Sequence, residues 1–322
     1  MDKCFSGYIN NSEMLRRSAS GGFATAFAMK VIEEKGVVYG VTYSSDFKSV
    51  TWIRIDTVFN IKKIQGSKYI KADTSGINFE GSVYSAVIKD LCDDRSVLFT
   101  GLPCEVAALL SMIKKQDIED KKLITLDLIC QGPGQPCIQK DYIELQEKKF
   151  GSKTTGFSAR FKNPDWNNIS LKMNFENDQI YLEKLSKTEY WKAVCRVPQK
   201  SCFDCRFKGI NHQADITIGD HWGIESNNSL YNPMGVSIAI THTEKGERFL
   251  HTTHLIKAEQ IKLEDALAAN PRYSIPIEDS AEKARFNMLY KKFGLKKACK
   301  WYNNYLAIAM FVIYKKTFGK KS

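Results

Sequence analysis

The sequence predicts an α/β protein: a mixed sheet with flanking helices, followed by an antiparallel-rich α+β second part. Three observations carry this. Helical and strand patterns alternate through the first 150 residues, two of the strands are near-continuous apolar runs, and from residue 151 the rhythm changes to short strands of alternating polarity. Length and composition allow it, since 322 residues can bury a sizeable core and 43% hydrophobic with 26% charged residues is what a globular chain carries.

Along the chain, Ser18-Ala-Ser-Gly-Gly22 is a loop of small residues. Phe23, Phe27, Val31 and Ile32 then recur at helical spacing until Gly36 stops the helix, and Val37–Val41 follows as a strand. A helix over 82–93, a strand Ser96–Thr100 and the turn Gly101-Leu-Pro103 come next. Pro103 opens a helix that runs to Lys114. Leu123–Ile129 is a second apolar strand, of the kind buried in a parallel sheet, and it ends in Cys130-Gln-Gly-Pro-Gly134 before a helix over 136–149. Beyond 151, the segments Phe157–Lys162, Ile169–Phe175 and Gln179–Leu182 alternate as antiparallel strands do. Strands Ala214–Ile218 and Val236–Thr241, a helix from Glu244 and another over 263–269 complete the reading. The expected parts are 1–150 (α/β), 151–280 (mixed) and 281–322, a basic amphipathic tail.

The net charge of +11 looks at first like a nucleic-acid signal. From Ala281 to Ser322, however, eleven Lys or Arg face a single acid, Glu282, a net +10 that leaves about +1 for the other 280 residues. A surface that tracks a phosphate backbone carries its charge across the folded body, so nucleic acid is not an expected partner. No stretch approaches the ~20 apolar residues of a membrane-spanning helix, and the N-terminus lacks the apolar core of a signal peptide, so the chain reads as soluble and cytoplasmic. The tail leaves two readings. Its aromatic and apolar run from Trp301 to Tyr314, flanked by lysines, suits a helix lying on an anionic membrane over 296–322. Otherwise it packs on the body or on a second copy of the chain, as a homo-oligomer.

Nine cysteines in a chain without a secretion signal argue against a disulfide framework. A free Cys is most often a small buried hydrophobe, which suits Cys92, Cys299, Cys137 and Cys195. Four others sit in turns or at strand ends. Cys104 lies in the first turn of its helix, where amide N–H groups and the helix dipole favour a thiolate. Cys130 ends the next apolar strand. Neighbouring parallel strands have adjacent carboxyl ends, so these two sulfurs can converge. Cys202-Phe-Asp-Cys205 adds a two-thiolate chelate on one loop. Four thiolates suit a structural zinc or a [4Fe–4S] cluster, and spacing alone does not choose between them.

Seven segments occur in order: SASGGFATA (18–26), GSKYIKAD (66–73), VLFTGLPCEVAAL (97–109), LDLICQGPGQP (126–136), SCFDCRFK (201–208), ADITIGDHWGIE (214–225) and GVSIAITHTEKGERF (235–249). Together they resemble the coenzyme F-420 hydrogenase/dehydrogenase beta subunit family over about residues 10–275. The resemblance implies an iron–sulfur flavoprotein oxidoreductase that binds FAD and a [4Fe–4S] cluster, relaying electrons between a one-electron donor and a two-electron hydride acceptor or donor. It assigns Cys104, Cys130, Cys202 and Cys205 to the cluster and leaves Cys137 and Cys195 without a counterpart. Ser20, Gly21 and Gly22, opening a helix, read as a phosphate cradle. Lys68 and Tyr69 would supply a cation and a stacking ring, and Thr100 and Gly101 would lie beside the flavin ring. Asp220, His221 and Trp222 would border the same crevice, although His221 by position alone reads as a solvated loop residue. Gln131 stands where the family usually carries histidine, so no role for that imidazole carries over. Many relatives have an N-terminal ferredoxin domain. None is seen here, so an external ferredoxin or oxidoreductase is the expected electron donor. Two competing readings are a non-catalytic electron-transfer or assembly subunit that has lost the flavin, and a zinc-stabilised binding protein.

Overall fold

Alternating strand residues decide which helices cover which face of the sheet. The structure, a computed structural model, describes residues 2–304 and 309. In chain order the elements are β1 (Lys3–Ile9), α1 (Ser12–Arg17), α2 (Phe23–Glu33), β2 (Val37–Tyr43), β3 (Val50–Ile55), α3 (Ile61–Ile64), β4 (Asp73–Ile77), α4 (Val83–Cys92), β5 (Val97–Gly101), α5 (Pro103–Lys115), β6 (Leu123–Leu128) and α6 (Pro136–Phe150). There follow β7 (Thr154–Lys162), β8 (Ile169–Phe175), β9 (Ile180–Lys184), α7 (Glu189–Val194), β10 (Ile216–Asp220), β11 (Ser237–Thr241), α8 (Glu244–His251), β12 (Ile256–Ile261), α9 (Leu263–Leu267) and α10 (Ala281–Trp301).

Nine strands form one mixed sheet in the order β12-β1-β11-β10-β6-β5-β2-β3-β4. β2, β5, β6 and β10 run parallel at its centre, while β1, β11 and β12 are antiparallel. In β2 and β5, Val38 and Leu98 turn to the face covered by Phe23, Phe27 and Val31 of α2. Val37, Tyr39, Val97 and Phe99 turn to the opposite face, beneath α4, α5 and α6. The expected α/β architecture is therefore present, with helices on both faces of the sheet. β7, β8 and β9 form a separate antiparallel sheet whose Leu171, Met173 and Phe175 join the α4–α6 side of the core. Residues on both sides of position 150 contribute to the large sheet, because β10, β11 and β12 pair into it beside β6 and β1.

The basic tail docks on the body as far as it is described. In α10, Phe286, Leu289, Tyr290, Leu295, Ala298 and Cys299 are buried in the core cluster that contains Tyr142, Ile143, Tyr190 and Ala193 of α6 and α7. Tyr290 Oη donates to Asp141 at 2.6 Å, and the Arg196 guanidinium pairs with Glu282 at 2.7 Å. Gly294 breaks the helix with a φ of 77°. Lysines on a helix predict solvent, but this helix also carries an apolar stripe, and the stripe decides its place. The membrane-surface expectation for 296–322 falls mostly outside the described residues. Among the described residues no helix is long and apolar enough to cross a membrane. Phe286→Ala removes a fully buried ring from this contact and is expected to cost about 3–5 kcal/mol, read as a lower denaturant midpoint with an unchanged slope.

Cys299 is buried as expected, whereas Cys92, Cys137 and Cys195 are exposed. Each lies on or at the end of a helix whose apolar neighbours, not the thiol, face the core. Cys92 follows the buried Leu91 on α4, and Cys195 follows the buried Val194 of α7.

Candidate functional site

β5 and β6 are parallel neighbours in register, with Gly101 opposite Asp127. Their carboxyl ends therefore place the Cys104 turn beside the Cys130 loop. Pro103 opens α5, and Glu105 caps it by accepting from the Leu102 amide at 2.8 Å while pairing with Lys71. Backbone bonds then tie three distant segments together. Gly134 N donates to Tyr69 O at 2.8 Å, Lys71 N to Gly134 O at 3.0 Å, Gln135 N to Val197 O at 3.0 Å and Gln199 N to Pro133 O at 3.3 Å. This network carries the chain from Val197 directly into the Cys202-Phe-Asp-Cys205 loop next to Cys130. Gly132 lies against Cys202. Its φ is +79°, and a Cβ there would stand 3.1 Å from Cys202 Cβ and 3.3 Å from Cys202 Sγ. Lys208 Nζ fastens the far side by donating to Cys130 O at 2.6 Å and Arg272 O at 2.5 Å.

The four sulfurs share one electrostatic neighbourhood. Burial pushes the Cys104 thiol up to about 11, Lys71 opposes this, and Cys202 and Cys205 add to it. Burial likewise pushes Cys130 up to about 12, where the Gly132 amide and Lys208 oppose the rise and Cys104 and Cys202 reinforce it. Cys202 is raised by burial and then by Cys205. Thiols that resist ionisation alone ionise when a cation replaces their protons. Among the described residues no three His, Cys, Asp or Glu side chains close around a single-ion site.

A cleft of about 450 Å³ adjoins Cys130. Its wall includes Ser20, Gly22, Lys68, Tyr69, Thr100 and Gly101, and it reaches Cys130, Gln131 and Gly132. The structure therefore gathers six of the seven residues expected at the flavin into one wall. Gly21 lies behind that wall. A Cβ there would meet Ser237 N at 2.4 Å and Gly7 O at 2.5 Å, so glycine lets the loop lie flat on β1 and β11. Gly22 is the N-cap of α2 and no side chain caps the helix, which leaves first-turn amides facing the cleft wall. Lys68 is held by main-chain oxygens at the cleft wall. Its ammonium donates to Gln65 O at 2.6 Å, Lys63 O at 3.1 Å and Gly66 O at 3.4 Å, and burial pushes it down to about 7. Tyr69 packs edge-on against Trp191 at 4.9 Å. His221 is not a solvated loop residue. Its Nδ1 pairs with Ser6 Oγ at 2.6 Å, and burial lowers its pKa.

Sequence reasoning missed two cations of β7. Lys162 donates to Leu15 O at 2.7 Å, to Ser20 O at 2.9 Å and to Met234 O, which holds the small-residue loop in place. Arg160 lines the cleft and pairs with Asp220 at 2.6 Å. A charged residue in a short alternating strand reads as solvated, and only the docking of β7 against the main sheet brings these two inward.

Residues 94–268, more than half of the chain, match the family model for the C terminus of the coenzyme F420 hydrogenase/dehydrogenase beta subunit. The chain belongs to this family. The matched span of this beta-subunit-family protein holds Cys104, Cys130, Cys202, Cys205, Arg160 and Asp220, and it begins after the Ser20–Gly22 loop and the Lys68-Tyr69 segment. A chain in a structure described as a xenon derivatization of the F420-reducing [NiFe] hydrogenase complex from Methanosarcina barkeri has a similar fold. Its TM-score is 0.55 at 18% identity, over 92% of this chain and 90% of that one. The family resemblance read from the seven segments is thereby borne out, as is the mixed α/β fold.

Proposed function

We propose that this member of the beta-subunit family is an iron–sulfur flavoprotein oxidoreductase, binding a [4Fe–4S] cluster through Cys104, Cys130, Cys202 and Cys205 and FAD in the adjoining cleft. The observation that carries this reading is the continuity of the cleft, from the uncapped start of α2 to the Cys130 loop of the four-thiol group. The residues fit both groups. Cys104, Cys130, Cys202 and Cys205 come from three separate segments whose thiols lie near enough to influence one another, and a cubane takes one thiolate on each iron. The cleft volume lies within the ~300–1,000 Å³ of ligand pockets. When bound, the two groups supply the exchange between one-electron and two-electron carriers.

The protein's own part is positional. Lys162 and Gly21 fix the loop whose amides would receive the FAD phosphates, and the backbone network of Tyr69, Gly134 and Val197 keeps the thiols and the cleft in one rigid unit. Lys71 and Lys208 place positive charge beside thiolates that carry negative charge once ligated. A ferredoxin-like protein is the proposed donor and a hydride-accepting small molecule the proposed acceptor. The test is anaerobic purification followed by acid release of bound cofactor. The expected result is FAD in near-stoichiometric amount. Protein that neither retains nor takes up FAD contradicts the reading, and brown protein without flavin points to the electron-transfer role instead.

A further inference from the structure

The cleft wall contains a buried guanidinium whose hydrogen-bonding capacity is mostly unspent. Arg160 has a side chain only 9% exposed. Nη2 donates to Asp220 Oδ1 at 2.6 Å and Nη1 makes a long contact of 3.4 Å to Tyr69 Oη, while Nε is buried with no acceptor among the described residues. Guanidinium has five N–H donors and stays charged at any working pH, so an unmet donor in a buried site is costly unless a ligand completes it. The group is also held firmly. Asp220 accepts in addition from Trp166 Nε1 at 3.2 Å, and its main-chain oxygen accepts from Asn270 at 2.9 Å. Trp222 stacks on Trp166 at 4.7 Å, with the guanidinium 5.4 Å from the Trp222 ring. Such support fixes direction, which is what a recognition group needs.

The charges beside Arg160 select its ligand. Asp220 neutralises it at contact distance, so a phosphate would bring one or two further negative charges next to a carboxylate with little net positive charge to receive them. A ring carbonyl or ring nitrogen brings no such repulsion, and it gains when it turns weakly anionic. Tyr69 and Trp191 beside the site supply aromatic surface for a flat ring. Phosphates are better served at the α2 N-terminus.

Resting on the flavin reading above, we propose that Arg160 binds the ring of the planar redox ligand, and not its phosphates, through the terminal Nη N–H groups that Asp220 and Tyr69 leave free. Arg160 is then a binding residue that also tunes the ring's potential, with Asp220 setting how much of its charge the ring feels.

The test titrates flavin-free protein with riboflavin, FMN and FAD, for wild type, Arg160→Lys and Arg160→Met. Ring recognition predicts that both variants lose about tenfold in affinity for all three, by the same factor. A loss confined to FMN and FAD makes Arg160 a phosphate ligand and overturns the proposal, as does unchanged affinity for all three. Arg160→Met leaves Asp220 unpaired and risks misfolding, so Asp220→Asn provides a second reading that keeps the arginine. It is expected to raise the midpoint potential of bound flavin, while folded Arg160→Met, which removes the cation and leaves Asp220 charged, lowers it; shifts of the same sign overturn the proposal. Wild-type protein that takes up none of the three flavins contradicts the reading of the cleft itself, and this assignment with it.

Discussion

Cys130→Ser is expected to lower the iron retained after anaerobic reconstitution about tenfold, with Cys104→Ser close behind and Cys92→Ser indistinguishable from wild type. Cys130 lies between the Gly132 amide, which donates to its sulfur at 3.3 Å, and Lys208, which holds its carbonyl. A serine hydroxyl ionises far less readily than a thiol and is a harder ligand, so one iron loses its anchor and the cluster loses a quarter of its protein bonds. Cys92 is an equally genuine free cysteine, but it lies at the end of α4, outside this neighbourhood. Iron and acid-labile sulfide per chain are the quantities to measure, with thermal unfolding of each variant to separate ligand loss from misfolding. Equal iron in Cys130→Ser and wild type would remove Cys130 from the site.

The second large effect comes from a group with no ligand role. Asp127 on β6 is fully buried, its Oδ2 2.8 Å from His212 Nδ1 and its Oδ1 accepting from Thr217 Oγ1 at 2.5 Å. Thr217 continues to His242 Nε2 at 2.8 Å, His242 Nδ1 lies 3.1 Å from Asp2, and His212 stacks on Tyr273 at 4.8 Å. This chain of bonds joins the strand that leads into the Cys130 loop to the segment that follows Cys205. Asp127→Ala strips the acceptor from two buried donors at once and is expected to cost about 3–5 kcal/mol. Asp127→Asn keeps an oxygen for Thr217 and is expected to cost less. Chemical denaturation at neutral pH measures both. If the network also sets the spacing of the two cysteine segments, iron content falls in Asp127→Ala at temperatures where the variant is still folded.

Much of this was legible in the residues because it is local. The apolar runs at Val97 and Leu123, each followed by a proline- or glycine-bearing turn, identify parallel strands whose ends meet, and β5 and β6 are indeed neighbours. β1 was not legible. Ser6 and Gly7 interrupt its apolar alternation, and its partners Ala239 and Gln260 lie more than 230 residues away, so nothing local marks it as a sheet-interior strand. The tail's charge left two readings open, membrane surface or packing on the body, and the stripe formed by Phe286, Leu289, Tyr290 and Leu295 puts its described part on the body. At the site, the small-residue loop and the cysteines announce themselves by composition. Arg160, Lys162 and Asp127 do not, because a charged residue reads as exposed unless the packing that buries it is known.

Whether the four thiols hold an iron–sulfur cluster is read most directly from the metal and sulfide content of wild-type protein purified without oxygen. The expected product is a brown protein with about four irons and about four acid-labile sulfides per chain. A colourless protein holding one zinc per chain, or one that takes up no iron on reconstitution, would overturn the cluster assignment.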